Sequence, residues 1–465
     1  MSSKPSFRLR NGDHVERLAV DETDVDHLFG GALAPFGLAV LAVSGGPDSV
    51  ALMNLVSRWI RSGRAPRRLI IDVATVDHGL RAESAREADW VAEQAKALGF
   101  LHTTLVWSGD KSGSALQARA REARYALLVA HARATRSSDA KPAAVVTAHT
   151  ADDQAETFLM RLGRGSGLDG LAGMAPSRSL LPDGSVRLVR PLLGLNKASL
   201  ISELRGDGKG WLEDPSNERL DFERVRVRAA QEHVTALGLS NEKLALSALR
   251  LNRSREALER MTEARIAALV DNHQGVYASI HRQVWEGEPE DIRVRMLARL
   301  LSAYGGQAKL AQLSQVEALV EALASGRPMA QTLGGCIVSQ GRTTLRLYRE
   351  PQHHTLTELM MRPGDEVVWD WRFRVRYDAE EGDETPQQVL RDTARAVTVR
   401  PLGLAAYATL RGSLQPRERP PARAAAGLPS VWSGERLLAV PNLAGLKRGD
   451  ERFSAVFLGF KRVQP

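Results

Sequence analysis

The first third of the chain alternates between short unbroken apolar runs and longer stretches whose apolar residues recur at helical spacing. LAVLAV at residues 38–43 has the continuous apolar character of a buried strand, and it ends abruptly in SGGPDS at 44–49. The run VALMNLVSRWI then resumes with helical spacing. LIIDVAT at 69–75 predicts a second strand. SAREADWVAEQAKALG at 84–99 predicts a helix with Ser84 as cap, Glu87 three residues on and Gly99 as stop. LHTTLVW at 101–107 reads as a strand with a polar centre and 114–135 as a long helix. AAVVTA at 143–148 reads as a strand and DDQAETFLMRL at 152–162 as a helix. This alternation predicts an α/β fold: a doubly wound, mostly parallel sheet with helices on both faces. Ligands in such folds sit at the carboxyl ends of the strands. Three polar clusters follow three of these strands: SGGPDS, DHGLR at 77–81 and HTADD at 149–153.

Past residue 229 the pattern changes. Residues 239–270 and 291–324 read as amphipathic helices, and GGCIVSQGRTTLRLYRE at 334–350 as a hairpin with Cys336 in a core. EVVWDWRFRVRYD at 366–378 alternates as strands do, and VTVRPLGLAAYATLRG at 397–412 reads as strand then helix. The proline-rich stretch from 415 reads as a loop before short closing strands. The expected organisation is a catalytic α/β domain over 1–228, a mainly helical domain over 229–350 and a small α+β domain over 351–465, without internal repeats.

Composition narrows this picture modestly. A chain of 465 residues, 43% hydrophobic and 25% charged, is long enough for two or three ordinary globular domains. The net charge of +8 comes largely from arginine in an alanine-rich sequence, so it points only weakly to a nucleic-acid partner. The single cysteine excludes a disulfide framework or a CxxC site within this chain. The stretch MSSKPSFRLRNGDHVERL lacks the apolar core of a signal peptide, and residues 28–43 read better as a short helix and a strand than as a membrane span. A cytoplasmic protein without membrane attachment is expected, and no protein partner is evident.

The chemistry begins in the loop. Gly45 and Gly46 lack a Cβ, so backbone N–H groups can curl close to an anion. Pro47 follows the glycines, and the helix beginning near Asp48 aims its free N–H groups and dipole at the same place. Ser44 and Ser49 add hydroxyls, and Asp48 is suited to a Mg²⁺ that accompanies phosphates. The Walker A pattern and its lysine are absent. The loop resembles SGGxDS of the N-type ATP pyrophosphatases (the PP-loop superfamily), which implies ATP as substrate and cleavage to AMP and pyrophosphate. In HTADDQAET, Asp153 and Glu156 share a helical face and are suited to holding Mg²⁺ with Asp48 or to accepting a proton. Asp152 reads as a helix-terminal acid.

HTADDQAETFLMRLGRGSGLDGLAGM resembles the HHxDDQAET…RGSGLxGLxGM stretch of the tRNA(Ile)-lysidine synthetase family. QARAREARYALL at 117–128, DHGLR and WLEDPSN at 211–217 are similar in the same order. The resemblance covers roughly residues 38–228, with a looser likeness of the C-terminal part to the longer members. Thr150 departs from it, standing where the family usually has a second histidine. The resemblance implies ligation of free L-lysine to the wobble cytidine of a CAU-anticodon tRNA(Ile), by way of an adenylated cytidine, with release of pyrophosphate and AMP. Asp48, Asp153 and Glu156 would be catalytic, the first two holding Mg²⁺, and residues 44–49 would bind ATP. His78, Arg121, Arg124, Arg164, Glu213, Asp214 and Arg224 would meet substrate or tRNA. The glycine-rich 164–173 segment reads as either an RNA-shaped loop or a connector, and EDPSN as either a lysine contact or a helix cap. Base thiolation needs cysteines that the N-terminal part lacks. A tRNA-binding protein with a silent ATP site is the other alternative.

Overall fold

A computed structural model describes residues 22–80, 83–112, 116–136, 141–181, 183–213, 223–306, 311–351, 356–378, 396–443 and 451–459, with the side chains of 22 and 223–225 excepted. The chain divides into two compact units, residues 1–256 and 257–464.

The first unit is built on β1 (Leu38–Ala42), β2 (Ile70–Asp77), β3 (Leu101–Val106), β4 (Ala143–Val146), β5 (Ser177–Ser179) and β6 (Val186–Val189), in the order β3-β2-β1-β4-β6-β5. All pairings are parallel except that of the edge strand β5 with β6. The apolar run of β1 is unbroken because both faces are covered. Ala39 and Leu41 pack with α1 (Glu22–Leu33), α2 (Pro47–Arg61), α3 (Ser84–Ala97) and α7 (Lys197–Gly206). Leu38 and Val40 face the layer that contains Leu128 and Ala132 of α4 (Leu116–Thr135). Trp59, fully buried, donates its indole N–H to Asp26 at 3.1 Å and packs on Phe29, fixing α1 to α2.

The chain order reverses between β1 and β4, so the turns after these two strands open onto one crevice. The expected doubly wound sheet is present. Its polar-centred strand β3 is an edge, with Leu101 76% exposed, which explains why alternation there was weak. Gly99 stops α3 at φ +83° as expected, but Ser84 does not cap it. Glu83 is already helical (φ −78°, ψ −18°) and takes the N-cap position, so Ser84 is the first residue of the helix itself. The unit closes with α5 (Ala151–Gly163), α6 (Leu168–Leu171), α8 (Glu223–Ala229), α9 (Gln231–Ala236) and the start of α10 (Asn241–Leu269).

The second unit holds an antiparallel five-stranded sheet that includes the expected hairpin of Cys336–Gln340 and Thr344–Arg349. Helices Glu290–Tyr304 and Leu313–Ala324 cover it. Cys336 is fully buried and its thiol is pushed up to about 12 by burial, so it serves the core as expected. A four-stranded and a three-stranded antiparallel sheet follow. The proline-rich stretch carries a short helix, Ala422–Ala426, after Pro421 where a plain loop was expected; its alanines favour the helix. Among the described residues, no helix is long and apolar enough to cross a membrane.

Candidate active site at the switch point

The loop after β1 is held from inside and from above. Ser49 Oγ accepts from the Ser44 N–H (3.2 Å) and donates to the Gly46 carbonyl (2.9 Å), so its hydroxyl braces the turn, whereas Ser44 is exposed. Gly46 is the extended N-cap of α2 and Pro47 occupies its first turn, where backbone N–H groups have no intrahelical acceptor. Gly45 sits at φ +88° and accepts the Leu212 N–H at 2.9 Å. A Cβ on Gly45 would lie 2.7 Å from Leu212 Cδ1, so the segment preceding Glu213 lies directly on the loop. Gly45→Ala should therefore lower the melting temperature by a few degrees and weaken ATP binding, read by thermal shift with and without nucleotide. An unchanged response to ATP would show that the loop does not need this conformation.

The turn after β4 supplies carboxylates. Thr150 is the N-cap of α5 and forms a reciprocal box with Asp153, whose Oδ2 accepts from the Thr150 N–H (2.9 Å) and hydroxyl (3.1 Å). This gives the threonine a role that a histidine would fill less well. Asp152 bridges two later helices, accepting from the Lys197 backbone N–H and from the Asn241 amide, both at 2.7 Å. Glu156, 4% exposed, is clamped by Arg228, whose Nε meets Oε1 and whose Nη2 donates to Oε2 at 3.3 Å. Desolvation alone would lower the Arg228 guanidinium, but its hydrogen bond and charge pairing with Glu156, then Asp153 and Asp48, hold it above its ordinary value. Asp48, Asp152, Asp153 and Glu156 line one cavity of about 220 Å³ with Lys197 and Arg228. Four carboxylates thus face two cations. Burial raises the Asp48 carboxyl to about 6, Asp153 and Asp152 push the same way, and Lys197 and Arg228 oppose them. Its Oδ1 is buried without a hydrogen-bond partner.

Lys197 and Arg228 escaped the sequence reading. A lysine in the first turn of a helix, here after the N-cap Asn196, opposes the helix dipole, and that was the available signal. The sequence points to Arg224 as a substrate contact; residues 223–229 are helical, and Arg228, one turn further on, lines the cavity. The Arg224 side chain, Asp214 and Arg81 lie outside the described residues.

A second cluster lies beyond the ends of β2 and β3. His78 is edge-on to Trp107 at 5.8 Å between ring centres, with Arg124 Nη2 3.4 Å from its Nε2. Desolvation and then Arg124 lower the His78 pKa, so the ring stays neutral at pH 7. Arg121 instead lies over the Tyr125 ring at 5.4 Å, shared with Arg178 at 5.7 Å. His149 hydrogen-bonds to Thr147 through Nδ1 at 2.9 Å, as a scaffold residue does. Arg164 is the C-cap of α5, about 12 Å along the helix from Glu156 and about 18 Å from Asp152, and Glu213 is exposed. The glycine-rich segment is pinned: Arg161 donates to the Gly170 and Gly173 carbonyls, and Gln154 exchanges two bonds with the Met174 backbone.

The chain is similar to known proteins over most of its length. Residues 21–233 match the PP-loop domain. The tRNA(Ile)-lysidine synthase of Ruegeria pomeroyi is 40% identical over 415 residues, covering 88% of this chain and 89% of that protein. The enzyme of the same name from Bradyrhizobium diazoefficiens is 45% identical, covering 64% of this chain and 86% of the relative. A third, from Bradyrhizobium sp., is 41% identical over 74% of this chain and 98% of its own length. Alike over nearly the whole length of such relatives, and matched by the PP-loop domain across its first unit, this chain belongs to the tRNA(Ile)-lysidine synthase family.

Proposed function

We propose that this protein uses ATP to join L-lysine to C2 of the wobble cytidine in CAU-anticodon tRNA(Ile), giving lysidine, AMP and pyrophosphate. The observation that carries the reading is the pairing of opposite sites at one switch point. The 44–49 loop and the start of α2 suit polyphosphate, and the neighbouring cavity has more carboxylates than cations. An excess of negative charge suits a divalent cation and a substrate ammonium together.

In the first step the cytidine C2 oxygen attacks the α-phosphorus of ATP, and pyrophosphate leaves. The loop backbone and the α2 N-terminus would hold the leaving group, and Lys197, which lines the neighbouring cavity, would add a positive charge. Mg²⁺ fits the residues present: Asp48 offers a buried, unpartnered oxygen, and Asp153 has Oδ1 free of its capping role. Among the described residues no group of three or more protein ligands forms a complete metal site, which suits an ion that takes its remaining ligands from phosphate and water. When bound it would neutralise phosphate charge. In the second step the lysine ε-amine attacks C2, the C2–oxygen bond breaks and AMP leaves with that oxygen. The ammonium must first lose a proton, and Glu156, fixed by Arg228, is the group we assign to receive it. A tRNA substrate implies a cytoplasmic setting.

The test is labelled-lysine incorporation into unmodified CAU-anticodon transcripts of the isoleucine and methionine tRNAs, with AMP and pyrophosphate followed in parallel. Label on the isoleucine transcript alone, with matching AMP, is expected. Nucleotide binding without label on either transcript would overturn the lysine reading.

A further inference from the structure

In the second unit, the hairpin joining strands Glu366–Trp369 and Phe373–Tyr377 turns through Asp370 and Trp371, at φ +48° and +57°. The Arg372 N–H closes it on the Trp369 carbonyl at 3.1 Å. Turns of this hand favour Asn or Asp followed by Gly. Asp370 conforms, whereas a bulky aromatic in the left-handed region is strained. The strain is locked in place. The buried Asp370 carboxylate accepts from Arg349 Nε (2.8 Å) and Nη2 (2.9 Å) and from Arg372 Nε (2.6 Å). Arg349 also donates to the Gly335 carbonyl and Arg372 to that of Gly427.

What this clamp presents is Trp371, 59% exposed, while its neighbour Trp369 is fully buried and bonded to the Thr357 carbonyl. Packing therefore does not explain the strained tryptophan. The outward face of the same sheet carries Val368, Arg374 and Val456 in register, with Arg376 beside Ser454. Among the described residues, Arg374 and Arg376 make exposed pairs with Glu366 (3.3 Å) and Asp378 (2.8 Å), which exchange readily for other anions.

We propose that Trp371 is a stacking platform for an unpaired nucleobase of the RNA substrate, with Arg374 and Arg376 meeting the adjoining phosphates. Single apolar groups interleaved with cations suit a base with its charged backbone better than the continuous apolar patch of a protein partner. The proposal rests on the tRNA reading above.

The experiment uses the full chain with Trp371→Ala, Trp371→Phe and Trp371→Gly, measuring binding of the unmodified CAU-anticodon tRNA(Ile) transcript and of a blunt RNA duplex. Trp371→Ala should weaken transcript binding about tenfold or more, raising KM for the transcript and leaving kcat unchanged. Phe should restore most of the affinity. Gly should weaken binding as Ala does while raising the melting temperature, because it relieves the turn. Duplex binding should not distinguish the variants. Equal transcript affinity in wild type and Trp371→Ala, an equal loss on the duplex, or no rescue by Phe would each overturn stacking. Lysine incorporation separates the two readings. If it is absent while the affinity contrast persists, the activity fails and stacking stands; if it is normal and the contrast absent, the reverse holds.

Discussion

Asp48→Asn should abolish ATP-dependent modification, by at least about a hundredfold, and at the same time make the nucleotide-free protein more heat-stable at pH 8. The two effects have one cause. The carboxylate is partly buried beside Asp152 and Asp153, and its pKa rises from 3.8 to about 6. A group whose folded pKa lies above its unfolded value contributes stability that is present below pH 3.8 and lost as pH rises through about 6. Above that range the metal-free protein holds a poorly solvated anion, and the amide removes it. The gain should therefore be a few degrees at pH 8 and vanish near pH 4, where the wild-type carboxyl is already protonated. Mg²⁺ with ATP should stabilise the wild type strongly and the variant little, since the charge that would receive the ion is gone. Melting curves at the two pH values, with and without Mg²⁺-ATP, check each arm. Retained turnover in the variant would remove the metal role from Asp48. An unchanged melting temperature at pH 8 would show that the anion is better solvated than its burial implies.

Strand, loop and helix around Asp48 were legible because each is local: an unbroken apolar run, two glycines, then helical spacing. The crevice was legible because clusters following parallel strands must lie at one edge of the sheet. Capping shows where local reading stops. Residues 84–87 (SARE) and 150–153 (TADD) carry the same cap-like spacing, but only in the second is the first residue the N-cap of its helix. Thr150 leaves a strand in an extended conformation (φ −109°, ψ 177°), whereas Glu83 has already turned helical ahead of Ser84. The sequence cannot report that difference in the preceding backbone. Lys197 and Arg228 were illegible for another reason. They reach the cavity from helices that follow 45 residues after Asp152 and 72 after Glu156, by pairings such as Asp152 with the Lys197 N–H that only the packed α5, α7 and α8 create. The arginine run at 224–228 had no decisive period, and its helical form puts Arg228 one turn after Arg224.

The carboxylate held by that arginine should separate the two chemical steps. Glu156→Gln keeps the shape and one acceptor for Arg228 but removes the charge. If Glu156 takes the proton from the attacking amine, lysine incorporation should fall by roughly a hundredfold or more. Pyrophosphate release from the first step should survive as a burst of about one equivalent per enzyme, because Asp48, Asp153 and the loop are untouched. AMP release, which needs the lysine attack, should fall with incorporation. Raising the pH should recover part of the loss, since a larger fraction of free lysine then arrives as the neutral amine and needs no base. A purely structural role would lower both steps together and show no such recovery. Rapid-quench measurement of pyrophosphate and lysine incorporation at pH 7 and pH 9 decides between them. Equal loss of both products would move Glu156 from the lysine step to the support of Arg228 and the nucleotide.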